Sequence, residues 1–323
     1  MSGNEMVIVS DYAGEDFAKK VARKLECPYI HTNITYFSDG EPDIQVTKNI
    51  RGREVFYICP FQPKPVQRFT EITLVNSTLR DSSATKIIDV PTYLGFMKKH
   101  YKDRARVPIS IRAVAENMEL YADSFLTIDM HAKEIQGIFR KPFDHLDGTV
   151  LFAEHMKNNF NIDDFGIASP DVGGGGRAIK LAERTGAEQF AIIYKLRDPK
   201  TRKTKSIGIM GDVKDKNVIF VDDQEVSCES LEGAAKVAKE YGAKNIYAYA
   251  THGLMTEKEG ITAEERIANS FIDKLFITDT VPREPKYFEE NEKIELISCV
   301  DLFSKAIYRI HKNESLSESD LFN

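Results

Sequence analysis

Three features of the sequence predict an α/β fold in two domains. Short apolar runs rich in β-branched and aromatic residues recur along all 323 residues. Stretches with apolar residues at helical spacing lie between many of them. Polar or glycine-bearing turns mark the joins. Strands alternating with helices of about ten residues or more form βαβ units, which lie parallel in one sheet. At roughly 150 residues per domain, the length fits two.

In chain order, strands are expected at Met6–Val9, Val55–Cys59, Ile87–Val90, Ser124–Ile128, Phe165–Ala168, Phe190–Ile193, Val218–Val221, Ile246–Ala250, Lys274–Thr278 and Ile294–Cys299. Helical spacing marks Asp16–Leu25, Gln67–Leu79, Ile109–Ala122, Gly176–Thr185, Leu231–Tyr241 and Leu302–His311. Turns such as Gly186-Ala187 and Tyr241-Gly242-Ala243 bound these runs. A domain boundary is expected at Asp147-Gly148, giving domains 1–147 and 148–300. The C-terminal helix, 302–312, is expected to complete the first domain. The acidic, serine-rich tail after His311 carries no packing pattern.

Apolar residues make up 42% and charged residues 29%, the balance of a soluble globular chain. The formal net charge of −6 offers no global basic field for nucleic acid or an anionic membrane. Four dispersed cysteines, Cys27, Cys59, Cys228 and Cys299, form no CxxC pair, which argues against a zinc site or disulfide framework. MSGNEMVIVSD has no basic or long apolar leader segment, and no run approaches the roughly 18 apolar residues of a membrane span. A cytoplasmic location is expected.

In open α/β sheets, ligands sit at the carboxyl ends of strands. Five segments fall there or in adjoining turns. In "IDMHA" (128–132), His131 beside Asp129 suits a metal or phosphate oxygen, or is simply a turn histidine. In "IASPDVGGGGRAIKLAERTG" (167–186), a strand leads through Ser169-Pro170-Asp171 and four glycines into a helix. Glycines let backbone amides approach phosphate, and Asp171 is a hard oxygen ligand for Mg²⁺. No Gly-Lys-Ser/Thr follows, so it is not a Walker A loop. In "AIIYKLRDPKTRKTKS" (191–206), six Lys and Arg residues make either a solvated loop or a flap that closes over phosphates. In "VIFVDDQEVSCESL" (218–231), Asp222 and Asp223 can accept from the two hydroxyls of a ribose, or cap the next helix. In "YFSDGEPDIQV" (36–46), Phe37, Asp39 and Glu41 can receive adenine, or form a hydrophilic turn.

Together these segments resemble ribose-phosphate pyrophosphokinase (phosphoribosyl pyrophosphate synthetase). The resemblance rests on FSDGE, RVPIS, DMHAKEIQGIF, SPDVGGGGRA, the basic segment, GDVKDKNVIFVDD, YAYATHGL and ITDTVP, in that order over essentially the whole chain. It implies two phosphoribosyltransferase-like domains, each a mostly parallel sheet flanked by helices. It also implies Mg²⁺, transfer of the β,γ-diphosphate of ATP to the anomeric hydroxyl of ribose 5-phosphate, and release of AMP. An ATP site across a subunit interface of a homodimer or hexamer follows from the same resemblance. Phe37, Asp39 and Glu41 match the adenine turn; His131 and Asp171 match holders of Mg²⁺–ATP. Lys195 and Arg197 match the catalytic flap, with Leu196 where the family has a middle arginine. Asp222 and Asp223 match the ribose pair.

Two departures stand out. The family's arginine-bearing second ATP segment is replaced by Lys98, Lys99, His100 and Tyr101, with Arg104 and Arg106 nearby, so bidentate arginine contacts are lost there. After the aspartate pair, the phosphate-wrapping loop has Val226 for aspartate and Glu229 for a glycine, while Ser227 and Ser230 keep hydroxyls. Like unit charges about 4 Å apart cost roughly 4 kcal/mol at an effective dielectric near 20. Glu229 inside the cradle therefore disfavours a dianionic monoester. ADP-ribose, whose diphosphate diester carries one charge per phosphorus, is the acceptor this favours. Ribose 5-phosphate is the alternative if Glu229 faces solvent. A third reading is a non-catalytic regulatory subunit, against which the retained His131, Asp171, Lys195, Arg197, Asp222 and Asp223 weigh.

Overall fold

The computed structural model describes residues 5–187, 189–197 and 204–317, with backbone alone at 189–190, 195–197 and 204–207. The chain divides into two compact units. The first takes residues up to Asp147, Thr280–Pro282 and the chain from Cys299; the second takes Gly148–Asp279 and Arg283–Ser298.

The first unit runs β1 (Met6–Ser10), α1 (Glu15–Lys24), β2 (Tyr29–Tyr36), β3 (Pro42–Val46), β4 (Glu54–Ile58), α2 (Pro65–Asp81), β5 (Lys86–Val90), α3 (Ser110–Met118), β6 (Ser124–Ile128) and β7 (Phe143–Leu146). Its sheet order is β3-β2-β1-β4-β5-β6-β7. All pairings are parallel except the β2–β3 hairpin. The second unit runs α4 (Thr149–Asn159), β8 (Phe165–Ser169), α5 (Gly175–Thr185), β9 (Gln189–Arg197), β10 (Thr204–Met210), β11 (Asn217–Glu225), α6 (Glu229–Glu240), β12 (Ile246–Gly253), α7 (Ala263–Asn269), β13 (Lys274–Thr278), α8 (Pro285–Glu290) and β14 (Ile294–Ile297). Its order, β10-β9-β8-β11-β12-β13-β14, repeats the first unit's order strand for strand, again with one antiparallel edge hairpin, β9–β10. Two mostly parallel sheets flanked by helices are thus the architecture, as the sequence predicts. The last helix, α9 (Val300–Lys312), belongs to the first unit, with Phe303 edge-on to Phe17 at 5.4 Å and Asp301 paired to Lys24 at 2.9 Å.

The central strands are the legible ones. β1, β4, β6 and β8 are buried at every residue, because helices cover both faces of a parallel sheet. Several elements escape the sequence pattern. β2 (YIHTNITY) and β3 (PDIQV) form an edge hairpin that alternates with solvent and has no apolar run. β7, β10 and the helices α4, α7 and α8 are also additions to the expected set. The helix expected to reach Ala122 ends at Met118, and the strand expected to reach Cys299 ends at Ile297, where Cys299 caps α9.

One polar pair lies inside the first unit's core. Asp89 on β5 is fully buried, and its Oδ2 accepts from Asn76 Nδ2 on α2 at 2.7 Å. Asp89 Oδ1 and Asn76 Oδ1 find no partner among the described residues. Burial, aided by the Asp123 carboxylate, pushes the Asp89 carboxyl up to about 8. Between about pH 4 and pH 8 the folded chain keeps a proton that the unfolded chain has released, so this group lowers stability as pH rises through that window. Asp89→Asn should therefore gain on the parent by about 1 kcal/mol per pH unit between pH 5 and pH 7 in denaturant titrations. A difference that stays constant with pH would contradict the buried-acid assignment.

Candidate active site

In the second unit, three consecutive strands, β9, β8 and β11, direct their carboxyl ends to one edge. After β8, Ser169 Oγ donates to Asp171 O at 2.5 Å and Gly174 N donates to Asp171 Oδ1 at 2.9 Å. A Cβ at Gly174 would meet Ser169 Oγ at 2.7 Å and lie 3.8 Å from Val221 O on β11. A side chain at Gly174 would therefore crowd the Ser169 hydroxyl that closes this turn, while its contact with β11 would be ordinary. The turn delivers Arg177, in the first turn of α5, to the end of β11.

There Arg177 Nη1 lies 3.4 Å from Asp222 Oδ1 and 3.2 Å from Asp223 Oδ1. The two aspartates do not begin a loop, as the sequence reading has it; β11 continues through them to Glu225, pairing with β12 as far as Gly253. Asp223 N donates to Asp222 Oδ1 at 2.8 Å. Burial, then Asp223 and Glu225, push the Asp222 carboxyl well up, and Arg177 opposes them.

Beyond β11, Thr256 N donates to Val226 O at 2.6 Å, and Leu254 N and Met255 N donate to Glu225 O at 2.8 and 3.2 Å. The segment after β12 thus braces the loop. Cys228 caps α6 in the left-handed region (φ 56°), buried, with its thiol donating to Met255 Sδ at 3.8 Å. Glu225 is also buried. Glu229 is not inside a cradle. It is the first residue of α6, its side chain is 50% exposed, and it pairs with Lys258. The reason is local: Cys228 turns the chain through the left-handed region, and Lys258 stands opposite. Glu232 pairs with Arg266 at 3.1 Å. Ser227 is half-buried and Ser230 exposed on the first turn of α6.

Lys195 and Arg197 lie on β9, opposite Ser206 and Thr204 of β10; their side chains fall outside the described residues, as do residues 198–203 of the basic segment. Ile192 is level with Ser169, so Lys195 lies three residues, about 10 Å, farther along the strand direction.

In the first unit, Phe37, Asp39 and Glu41 occupy the β2–β3 turn, all exposed, with Phe37 at 57%. Phe37 N donates to Glu41 O and Gly40 N to Phe37 O, both at 2.9 Å; Glu41 N donates to Asp39 Oδ1 at 3.1 Å. His131 is exposed after β6, in a loop fixed by Met130 N donating to His145 Nε2 at 2.9 Å. His100 stands edge-on to His131 at 6.0 Å and to Tyr101 at 4.9 Å, so the altered second segment does reach this loop. Lys99 pairs with Asp103 at 2.7 Å, while Lys98 and Arg104 are exposed. Strand order sets β2 and β6 four spacings apart, about 19 Å, so the aromatic turn and His131 do not meet within one unit.

Residues 6–121 match the N-terminal domain of ribose phosphate pyrophosphokinase, and residues 174–323 match the phosphoribosyl synthetase-associated domain. The ribose-phosphate pyrophosphokinase of Chlorobaculum tepidum is 37% identical over 96% of this chain and 93% of its own, and that of Thermotoga maritima is 36% identical over 97% and 98%. The chain belongs to the ribose-phosphate pyrophosphokinase family. The crystal structure of phosphoribosylpyrophosphate synthetase from Mycobacterium smegmatis superposes with a TM-score of 0.85 at 26% identity, covering 96% of this chain and all of the other. The family is one of ATP-using diphosphotransferase enzymes.

Sequence reasoning missed two contributors and misplaced a third. Arg177 is 45 residues from Asp222 and reads as an ordinary helix residue. Lys258 is 29 residues from Glu229, in a loop with no motif. Glu225 reads as a loop acid but is a buried strand-end group. Arg177→Gln should shift the carboxyl titration of the Asp222/Asp223 pair to higher pH, read by carboxyl ¹³C shifts in labelled protein. An unmoved titration would show that Arg177 is not the pair's countercharge.

Proposed function

We propose that the chain transfers the β,γ-diphosphate of ATP to the anomeric hydroxyl of a ribose 5-phosphate moiety, with AMP as the leaving product. The support is the cluster at the carboxyl ends of β8, β9 and β11 within a chain of this family. Asp222 and Asp223 accept hydrogen bonds from the sugar diol, a role open to a carboxylate and to the carbonyl oxygen of a neutral carboxyl alike. Arg177 favours their charged forms but does not cancel burial and mutual repulsion, which leave the Asp222 carboxyl well above its ordinary value. The anomeric oxygen, thereby fixed, attacks the β-phosphorus; the bond from that phosphorus to the bridging oxygen of the α-phosphate breaks, and AMP departs with that oxygen. Lys195 and Arg197, on the strand leading into the basic segment, are assigned to the charge that develops on the transferred group. Such a reaction is accelerated mainly by positioning and charge stabilisation, without a covalent nucleophile.

Mg²⁺ fits this donor set as an ion brought by the nucleotide. Among the described residues no cluster of three His, Cys, Asp or Glu forms a cage. Mg²⁺ commonly takes one or two carboxylates plus substrate phosphates and water. Asp171 gives Oδ1 to the Gly174 amide and has Oδ2 for a cation; His131 and the Phe37 turn are assigned to the nucleotide. The bound ion would neutralise the diphosphate. Because the turn and His131 are separated along one sheet, this reading also calls for self-association, one copy's turn completing another's nucleotide site.

For the acceptor, the reading is ADP-ribose, and the observation behind it is the acidity around α6. A helix N-terminus normally attracts phosphate, but here Glu229 and Glu232 occupy the first turn, with Glu225 buried behind it. Lys258 and Arg266 pair with those two glutamates, so buried Glu225 is the acid that favours a singly charged diester phosphate over a dianionic monoester. One observation favours the second reading, free ribose 5-phosphate: Glu229 is half-exposed and neutralised by Lys258. With Mg-ATP, AMP should form faster with ADP-ribose than with ribose 5-phosphate, and the reverse order would establish the second reading. AMP formation with neither would leave the regulatory-subunit reading. Glu229→Gly should change ribose 5-phosphate use less than about twofold, since its partner already offsets its charge; a large gain would place the glutamate in the phosphate site.

A further inference from the structure

The two units repeat one topology, and the repeat assigns a role to a buried ionic network in the first. Asp11 follows β1 as Asp171 follows β8. Asp11 Oδ1 accepts from Ala13 N, two residues on, at 2.9 Å, and Asp171 Oδ1 from Gly174 N, three residues on, at 2.9 Å, so the turns differ by one residue while both acids brace the start of the next helix. Asp171 retains some exposure; Asp11 has none, because Arg68 of α2 is placed against it. Arg68, itself fully buried, donates from Nη2 to Asp11 Oδ2 at 2.8 Å, from Nη1 to Glu71 Oε2 at 2.6 Å and from Nε to Pro60 O at 3.1 Å. Tyr57 Oη donates to the same Asp11 oxygen at 2.5 Å. The position that in the second unit lies in the active edge is closed by a guanidinium in the first.

This network opens outward at one place. Glu71, 1% exposed, accepts on Oε1 from Gln67 Nε2 at 2.8 Å and from the Tyr36 hydroxyl, and on Oε2 from the Tyr12 hydroxyl at 3.0 Å. Gln67 Nε2 also donates to Tyr36 Oη at 2.7 Å. Tyr36 and Tyr12 are nearly half-exposed, and Tyr36 immediately precedes Phe37 and pairs with Pro42 across the hairpin. Among the described residues, the turn itself is closed by its own backbone bonds and the Asp39 carboxylate. A buried ion network is poor at adding stability over an apolar core but good at fixing one geometry.

We propose that Glu71, locked by Arg68, is a positioning residue that holds the Phe37–Glu41 turn through the Tyr36 hydroxyl in the orientation that receives the nucleotide. This rests on the reading of that turn as the adenine site. Tyr36→Phe removes one oxygen and leaves the ring. It should weaken ATP binding about tenfold by calorimetry, the scale of losing a hydrogen bond to a charged group. KM for ATP should rise by the same factor, with kcat, acceptor KM and thermal midpoint essentially unchanged. Glu71→Gln should shift ATP binding in the same direction, with a lowered midpoint because buried Arg68 loses a charged partner. ATP affinity of Tyr36→Phe within about twofold of the parent would overturn the proposal, as would an equal loss for acceptor and ATP. Parent protein that binds ATP yet releases no AMP with either acceptor would overturn the diphosphotransfer reading alone; in that case the calorimetric comparison still decides the role of Tyr36.

Discussion

The second unit places two adjacent carboxyl groups at the end of a buried strand with one arginine beside them. Asp222 and Asp223 lie side by side, Glu225 is buried two residues on, and burial alone drives such groups toward the neutral acid. A neutral acid is a donor as well as an acceptor and is a poorer partner for a diol. Arg177 is what opposes this. The turn that leads to it is tight: a Cβ at Gly174 would meet the Ser169 hydroxyl at 2.7 Å.

The first unit solves the same topological problem differently. Asp11, in the turn after β1, meets an arginine from α2, the helix after β4, whereas Asp222 and Asp223, on β11, meet one from α5, the helix after β8. The buried Arg68 takes both Asp11 and Glu71, so that edge is closed. What remains exposed there is the hairpin turn and two tyrosine rings. In both units the antiparallel hairpin at the sheet edge carries the segment assigned to phosphate or base, the aromatic turn on β2–β3 and the basic segment on β9–β10.

The fold was legible wherever burial covers both faces of a strand, because β1, β4, β6 and β8 then read as unbroken apolar runs. It was not legible at the hairpin edge, where β2 and β3 mix Thr, Asn, Gln and Asp with few apolar residues. In the site, glycine runs and paired aspartates announce themselves locally. Countercharges do not: Arg177 and Lys258 reach their partners only through tertiary folding, across 45 and 29 residues. The direction of Glu229 was likewise beyond the sequence, since it turns on the left-handed conformation of Cys228 and on where the loop after β12 puts Lys258.

The central claim is that Asp222 and Asp223, with Arg177 beside them, bind the acceptor's diol. Titration calorimetry of Asp223→Asn against ADP-ribose, ribose 5-phosphate and ATP tests it most directly. Loss of acceptor affinity by about two orders of magnitude, as for removing a charged partner from two hydroxyls, with ATP affinity kept, is the predicted result. Undiminished acceptor binding would place the sugar elsewhere and contradict the account.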